Sequence, residues 1–320
     1  MSNPASSGRI QGCCPRGTSE VQNSRLQRLL SLTITASATL LLISPGVAPQ
    51  AAAQQDPLIE TIVALEIQLQ ARIGVAVFDT GTGRHWEYRE SERFPMSSTF
   101  KTLACAALLV RVDQGREDLN RSVTFQAADL VSYSPVTEAH TGAAGLTLNQ
   151  LCDAAITVSD NTAGNLILQA IGGPQGLTRF LRTTGDQVTR LDRWETELNE
   201  AVPGDERDTT TPGAMALLLE NLVLGETLTP ESRSRLQQWL LGNTVGDALL
   251  RSGIPADWKI GDKTGAGGYG SRSIAAVMWP PSRQPVITTI YITETEASFD
   301  ARNAAMAKLG DTIARVIESP

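Results

Sequence analysis

Histidine is nearly absent from this chain, with two in 320 residues, His85 and His140. Neither stands at a spacing that suggests a zinc site or a Ser-His-Asp triad, and both read as surface or structural side chains. Cysteine is scarce too: only Cys13, Cys14, Cys105 and Cys152 are present, too few for a disulfide-built scaffold. Lysine occurs only at positions 101, 259, 263 and 308. Aromatics make up 5% of the chain and the formal charge is −7, with no basic stripe or stacking-aromatic pattern, which gives no support to nucleic-acid binding. No glycine-rich phosphate loop follows a strand, and no internal repeat is present. The one long apolar run, Leu29 to Ile43, is about fifteen residues broken by Ser and Thr, short for a membrane span.

What is present begins with an address. Arg25 and Arg28 precede that apolar run, Ser44-Pro45-Gly46 follow it, and Ala51-Ala52-Ala53 supply small residues suited to cleavage. This is a secretory pattern over 1–53, with the cut expected near Ala53-Gln54, and it implies export. Removing it takes away four Arg and one Glu, so the net charge moves from −7 to −10. Cys13 and Cys14 leave with it. Cys105 and Cys152 remain as an even pair in an exported protein, either two buried thiols or, favoured by that compartment, a disulfide. The bridge would close about 48 residues and contribute up to about 4 kcal/mol in the loop-entropy model.

The remaining chain, with ample apolar content for a core, opens with helical spacing from Pro57 to Gln70. An apolar strand Ile73–Phe78, a turn at Asp79–Gly83 and a return strand Trp86–Tyr88 come next. The middle, 97–242, is Leu- and Ala-rich with helical periodicity. It includes helices over Thr102–Val112, Leu148–Val158, Asn161–Ile171, Gly213–Leu224 and Pro230–Leu241. Strands return at Lys259–Lys263, Arg272–Trp279 and Val286–Thr293, and a helix over Ser298–Ile317 closes the chain. The pattern predicts an α+β fold: an antiparallel sheet of about five strands built from 54–96 and 243–320, carrying the terminal helices, with an all-helical insert over 97–242. A cleft is expected where insert meets sheet.

Ser98 and Lys101 stand three residues apart at the start of a helix, where an amine whose pKa is held down can take the proton of a hydroxyl nucleophile. Alone this spacing is weak, since it occurs by chance about 0.3 times in a chain of this Ser and Lys content. Ser159-Asp160-Asn161 lies at a junction between two expected helices and reads equally as a helix cap. Lys263-Thr264-Gly265 ends an expected strand ahead of the turn residues Ala266 to Gly270. Two of the four lysines thus fall in two such motifs.

Taken in order, Ser98-x-x-Lys101, Ser159-Asp160-Asn161 and Lys263-Thr264-Gly265 form a set shared by class A β-lactamases and penicillin-binding proteins. A fourth segment, Arg193-Trp194-Glu195-Thr196-Glu197-Leu198-Asn199, with Asp208 beyond it, resembles the omega loop of the class A enzymes. The chain is therefore similar to a class A β-lactamase over essentially all of the segment after residue 53. That resemblance implies a serine hydrolase that opens the β-lactam amide through an acyl-Ser98 intermediate and confers resistance, with no cofactor and no metal. It implies Lys101 or Glu195 as the base in acylation and Ser159 as the relay to the leaving nitrogen. Glu195 and Asn199 would hold the hydrolytic water, and backbone N–H groups of Ser98 and Ala266 would hold the oxyanion. Lys263, Thr264, Gly265, Ala266 and Arg272 would receive the substrate's ring and carboxylate. Asn161 would bind the side-chain amide and Tyr133 would wall the cleft. Arg193 and Asp208 would tie off the omega loop, residues 190–208. The charge of Lys263 is expected to keep the pKa of Lys101 low.

The likeness is greatest to carbenicillin-hydrolysing penicillinases, carried by Tyr133–Glu138, Leu191–Arg193, Asp208–Pro212 and Gly265–Ser273. Two departures stand out: many of that group carry arginine where this chain has Lys263, and Thr196 stands where proline is common. The Glu195–Thr196 bond is expected cis. Expected partners are β-lactams and clavulanate-type inhibitors acting at Ser98, Ser159 and Arg272, with neither nucleic acid nor a stable membrane contact. The expected state is a monomer in a Gram-negative periplasm. The alternatives are a penicillin-binding D-alanyl-D-alanine peptidase, a family that generally lacks the omega-loop glutamate, and a β-lactam sensor domain, which needs a retained membrane segment.

Overall fold

The computed structural model describes residues 56–319, so the leader expected over 1–53 lies outside the described residues. The first helix is set by its start: the Asp56 side chain accepts from Leu58 N–H at 2.8 Å and proline stands in the first turn. This helix, α1 (Pro57–Leu69), buries Leu58, Ile62, Leu65 and Leu69 along one stripe. Strands β1 (Arg72–Asp79) and β2 (His85–Tyr88) follow as an antiparallel pair, then the short β3 (Phe94–Pro95) and α2 (Phe100–Asp113). A hairpin of β4 (Ser122–Phe125) and β5 (Gly142–Thr147) leads to α3 (Leu148–Thr157), α4 (Asn161–Ile171) and α5 (Gly173–Thr183). The short β6 (Thr209–Thr210), α6 (Pro212–Val223) and α7 (Pro230–Leu241) precede β7 (Lys259–Ala266), β8 (Arg272–Trp279), β9 (Val286–Thr293) and α8 (Phe299–Glu318).

The main sheet has five antiparallel strands in the order β2-β1-β9-β8-β7, the α+β arrangement that the sequence predicts. β9 is buried along its whole length because both faces are covered, and parity divides its side chains. Ile287 and Tyr291 join a core shared with α2, α3, α4, α6 and α7, while Val286, Ile290 and Ile292 join a second core with α1 and α8. The same alternation in β8 sends Ala275 and Val277 to the first core and Ile274, Ala276 and Met278 to the second. In β7 Ile260 belongs to the second core, so Lys263 lies on the opposite face, toward the helices. A disulfide joins Cys105 of α2 to Cys152 of α3, with Cα atoms 5.8 Å apart.

Three features differ from the expectations. Ser98 lies in a 3₁₀ turn, Ser97–Thr99, that leads into α2 rather than in the first α-turn. β7 runs on to Ala266, because Lys263 to Ala266 pair with Ala275 to Arg272, so the Lys-Thr-Gly motif is strand and not strand end. α5 and the β4–β5 hairpin are absent from the sequence reading. Gly172 (φ 95°) closes α4 in the left-handed region, and α5 starts at once with proline in its first turn, so a Gly-Gly-Pro that looks like a breaker joins two helices. The strand β5 is made of Gly and Ala with little strand preference and exists through its pairing with β4.

The segment 190–208 is tied at its neck. Arg193 Nε donates to Asp208 Oδ2 at 2.6 Å, while Asp208 Oδ1 accepts from the N–H groups of Asp192 (2.7 Å) and Arg193 (2.9 Å). Arg190 N–H donates to Thr209 O at 3.0 Å, and Met96 N–H to Asp208 O at 3.0 Å, fixing the loop beside the strand that precedes Ser98. Asp208 is 1% exposed, so removing its carboxylate leaves Arg193 and two backbone donors without their buried acceptor. Asp208→Ala is expected to lower unfolding stability by roughly 3 kcal/mol, read as the shift in a urea transition.

Candidate active site

Four elements converge on Ser98: the 3₁₀ turn and α2 that carry Ser98 and Lys101, the start of α4, the loop 190–208, and β7. Lys101 emerges one turn after Ser98 and is fully buried, its Nζ 3.0 Å from Ser98 Oγ. The same ammonium donates to Asn161 Oδ1 (2.6 Å) and Ser159 O (2.9 Å) and lies 3.0 Å from Glu195 Oε1. An ammonium has three protons for these four acceptors, so the cluster shares them. Ser98 Oγ is also 3.4 Å from Glu195 Oε1. Both candidate bases therefore face one hydroxyl.

Gly164 explains how Lys101 fits. A Cβ there would stand 2.9 Å from Lys101 Cε, so α4 packs against the lysine stem only because that position has no side chain. Asp160 caps α4, accepting from Ala163 N–H (2.8 Å), and reaches back to Val136 and Thr137 N–H (both 2.9 Å). The cap reading of Ser-Asp-Asn thus holds for Asp160, while Ser159 and Asn161 point into the cluster. Ser159 takes a left-handed conformation, φ 64°, as does Tyr133, φ 59°, whose carbonyl accepts from Asn161 N–H at 3.0 Å.

From the sheet, Lys263 Nζ donates to Ser159 Oγ (3.0 Å) and Thr264 O (2.9 Å), so Ser159 lies between the two lysines, with Lys101 Nζ at 3.5 Å. Burial holds the Lys263 ammonium well below its ordinary 10.5, and the charge of Lys101 pushes the same way against Asp262 and Glu195. Lys101 is also lowered, by burial first, with Glu195 and Asp160 opposing. Desolvation is the largest cause at both lysines, and the repulsion between the two ammonium groups, which acts on both alike, adds to it. A depressed lysine pKa means the cation is lost at lower pH. The KM of a carboxylate-bearing substrate is therefore expected to rise with pH through a value below 10.5. In Lys263→Arg, where a guanidinium of higher intrinsic pKa replaces the amine, a KM-against-pH profile is expected to show that rise displaced upward.

Arg272 is 5% exposed, with Nε donating to Asn303 Oδ1 (2.9 Å) and Nη1 to Gly265 O (2.9 Å). Burial, helped by the charge of Arg302, brings its pKa down to about 10. Glu195 is 4% exposed; its Oε2 accepts from Asn199 Nδ2, and Asn199 Oδ1 is buried with no protein partner among the described residues. The Glu195–Thr196 peptide is cis.

Ser98, Ser159, Asn199, Ala266 and Arg272 line one cleft of 480 Å³, with Tyr133, 60% exposed, at its rim. A larger cleft, 770 Å³, opens between Glu90, Arg93 and Leu217, but no lysine or histidine lines it. His85 and His140 are exposed, and neither lines the cleft that contains Ser98. Every residue singled out for chemistry in the sequence thus lies in or beside the one cluster, except Cys105, Cys152, Arg193 and Asp208, which tie its supports.

Sequence reasoning missed two residues that orient this cluster. Asn165 clasps the backbone of Glu195, its Oδ1 accepting from Glu195 N–H (2.9 Å) and its Nδ2 donating to Glu195 O (3.0 Å). A signal existed, since Asn165 follows Asn161 by four on one face of α4. Asn303, which orients Arg272, lies 31 positions away in another element, and nothing local points to it.

The chain matches the family model described as the Beta-lactamase enzyme family over residues 57–317. It is 52% identical to Beta-lactamase AER-1 of Aeromonas hydrophila over 261 residues, 80% of this chain and 86% of that protein. It is 47% identical to Beta-lactamase PSE-4 of Pseudomonas aeruginosa over 278 residues, 87% of this chain and 96% of that protein. Among solved structures, an ancestral (GNCA) β-lactamase of class A superposes with a TM-score of 0.80 at 57% identity, covering 81% of this chain and 99% of that one.

Proposed function

The chain belongs to the class A β-lactamase family, and from that premise we propose that it opens the amide bond of penicillin-type β-lactams by way of an acyl-Ser98 ester. The enzyme is a hydrolase, and its reaction destroys the antibiotic and confers resistance. The observation that carries the proposed mechanism is the single cluster of Ser98 Oγ, Lys101 Nζ and Glu195 Oε1, all within 3.4 Å of one another.

In this reading the Ser98 proton leaves toward the Lys101–Glu195 pair as Oγ attacks the lactam carbonyl. The developing oxyanion sits against the N–H groups of Ser98, at the start of a helix, and Ala266, at the end of β7. Ser159, bonded to Lys263 Nζ, returns a proton to the leaving nitrogen. Lys263, Thr264 and Arg272 hold the carboxylate, Gly265, where a Cβ would stand 3.0 Å from Met96 O and from Ser97 Cβ, lets β7 pack against the turn that carries Ser98, and Asn161 and Tyr133 receive the side chain. Glu195 Oε2 and the unpartnered Asn199 Oδ1 then orient the water that cleaves the ester. We extend the reading to carbenicillin and to clavulanate-type inhibitors as ligands of this cleft, and to a monomer exported to a Gram-negative periplasm. Among the described residues no helix is long and apolar enough to cross a membrane.

The test is turnover. Purified protein mixed with excess benzylpenicillin is expected to release penicilloate many times per active site. A stable adduct with no continuing release would move the reading to a penicillin-binding peptidase.

A further inference from the structure

One aromatic side chain in the cleft is unused by this mechanism. Phe299, the first residue of α8, lines the cleft wall beside Arg272 and is 48% exposed. Its ring is held from two directions: the Arg272 guanidinium carbon lies 4.7 Å from its centroid and that of Arg302 lies 5.5 Å away. Both distances are within cation–π range. Arg272 is itself pinned by Asn303 and Gly265 O, so the ring is placed against a fixed partner. The ring is thus fixed in place while nearly half of the residue stays exposed in the cleft, and a fixed aromatic surface of this kind packs against flat groups at little entropic cost.

The chemistry of the substrate decides what reaches it. In a fused β-lactam the carboxylate sits on the ring carbon next to nitrogen, and in the six-membered cephem series the adjacent carbon bears the variable 3-substituent. If Arg272 holds the carboxylate, that substituent projects along the Arg272 side of the cleft, where Phe299 lies against the Arg272 guanidinium and lines the wall. We propose that Phe299, set in place by Arg272 and Arg302, is a specificity-determining subsite for planar aryl or heteroaryl 3-substituents of cephalosporins. The proposal rests on the reading of the cleft as a β-lactam site.

The experiment compares two cephalosporins, one carrying a 3-(2,4-dinitrostyryl) group and one a 3-methyl group, on wild type, Phe299→Ala and Phe299→Tyr. The ratio of kcat/KM for the styryl compound to that for the methyl compound is expected to fall about tenfold in Phe299→Ala, mainly through KM. Phe299→Tyr is expected to keep the wild-type ratio. An unchanged ratio in Phe299→Ala, whether both substrates weaken together or neither does, overturns the proposal and leaves Phe299 as a support for Arg272 alone. If wild type hydrolyses neither compound nor benzylpenicillin, the β-lactamase reading has failed instead.

Discussion

Ser98→Ala is expected to reduce kcat on benzylpenicillin by on the order of 10⁵-fold or more, because the nucleophile is the one group the other members of the cluster serve. The remaining parts lose their purpose together. Lys101 and Glu195 no longer face the nucleophilic hydroxyl, and Ser159 has no acyl-transfer step to complete. The cleft and the cations around it survive, so the variant is expected to retain substrate binding while intact-mass spectra show no adduct. Ser98 is 7% exposed and its Oγ accepts one bond from Lys101, so the alanine removes little packing and the fold should persist. Residual turnover within tenfold of wild type would mean the nucleophile lies elsewhere.

Glu195→Ala is expected to separate the two halves of the reaction. With the carboxylate gone, the charge that raises the Lys101 pKa disappears while burial, which lowers it, stays. The amine is therefore more readily neutral than in wild type and able to accept the Ser98 proton from 3.0 Å. Hydrolysis has no such substitute, since Asn199 Oδ1 alone orients a water without taking its proton. Stopped-flow measurement is expected to show a burst of one β-lactam ring opened per active site, with no penicilloate freed, followed by deacylation slowed roughly 10²- to 10⁴-fold, with the acyl adduct visible by mass. Steady turnover at the wild-type rate would remove Glu195 from the mechanism. A vanished burst would assign it to acylation as well.

The legible and illegible parts of this protein divide by sequence distance. Ser98 and Lys101 are three apart, Ser159 and Asn161 flank a cap, and the loop bearing Glu195 and Asn199 is closed by residues 15 apart, Arg193 and Asp208. Each is a local arrangement that turn and helix chemistry impose, so each is visible as a motif. The five-stranded sheet was legible for a similar reason: alternating or continuous apolar runs between turn residues state how many faces of a strand are covered. Elements whose stability is not local were not legible. β5 has a weak intrinsic preference and depends on β4, and α5 hides behind Gly172 and Gly173, which usually mark an end.

What the amino-acid sequence determined by itself was the inventory of reacting groups, their grouping on short segments, and the α+β layout that brings the segments to one junction. What only the tertiary structure decided was the electrical state and aim of those groups. Lys101 and Lys263 are ordinary lysines in sequence. Full burial on a shared hydroxyl, Ser159 Oγ, makes both depart downward from the usual lysine range. Asn165 and Asn303 are ordinary asparagines until α4 and α8 set them against Glu195 and Arg272. Desolvation and through-space Coulomb energy depend on the three-dimensional neighbourhood, and no local spacing encodes them.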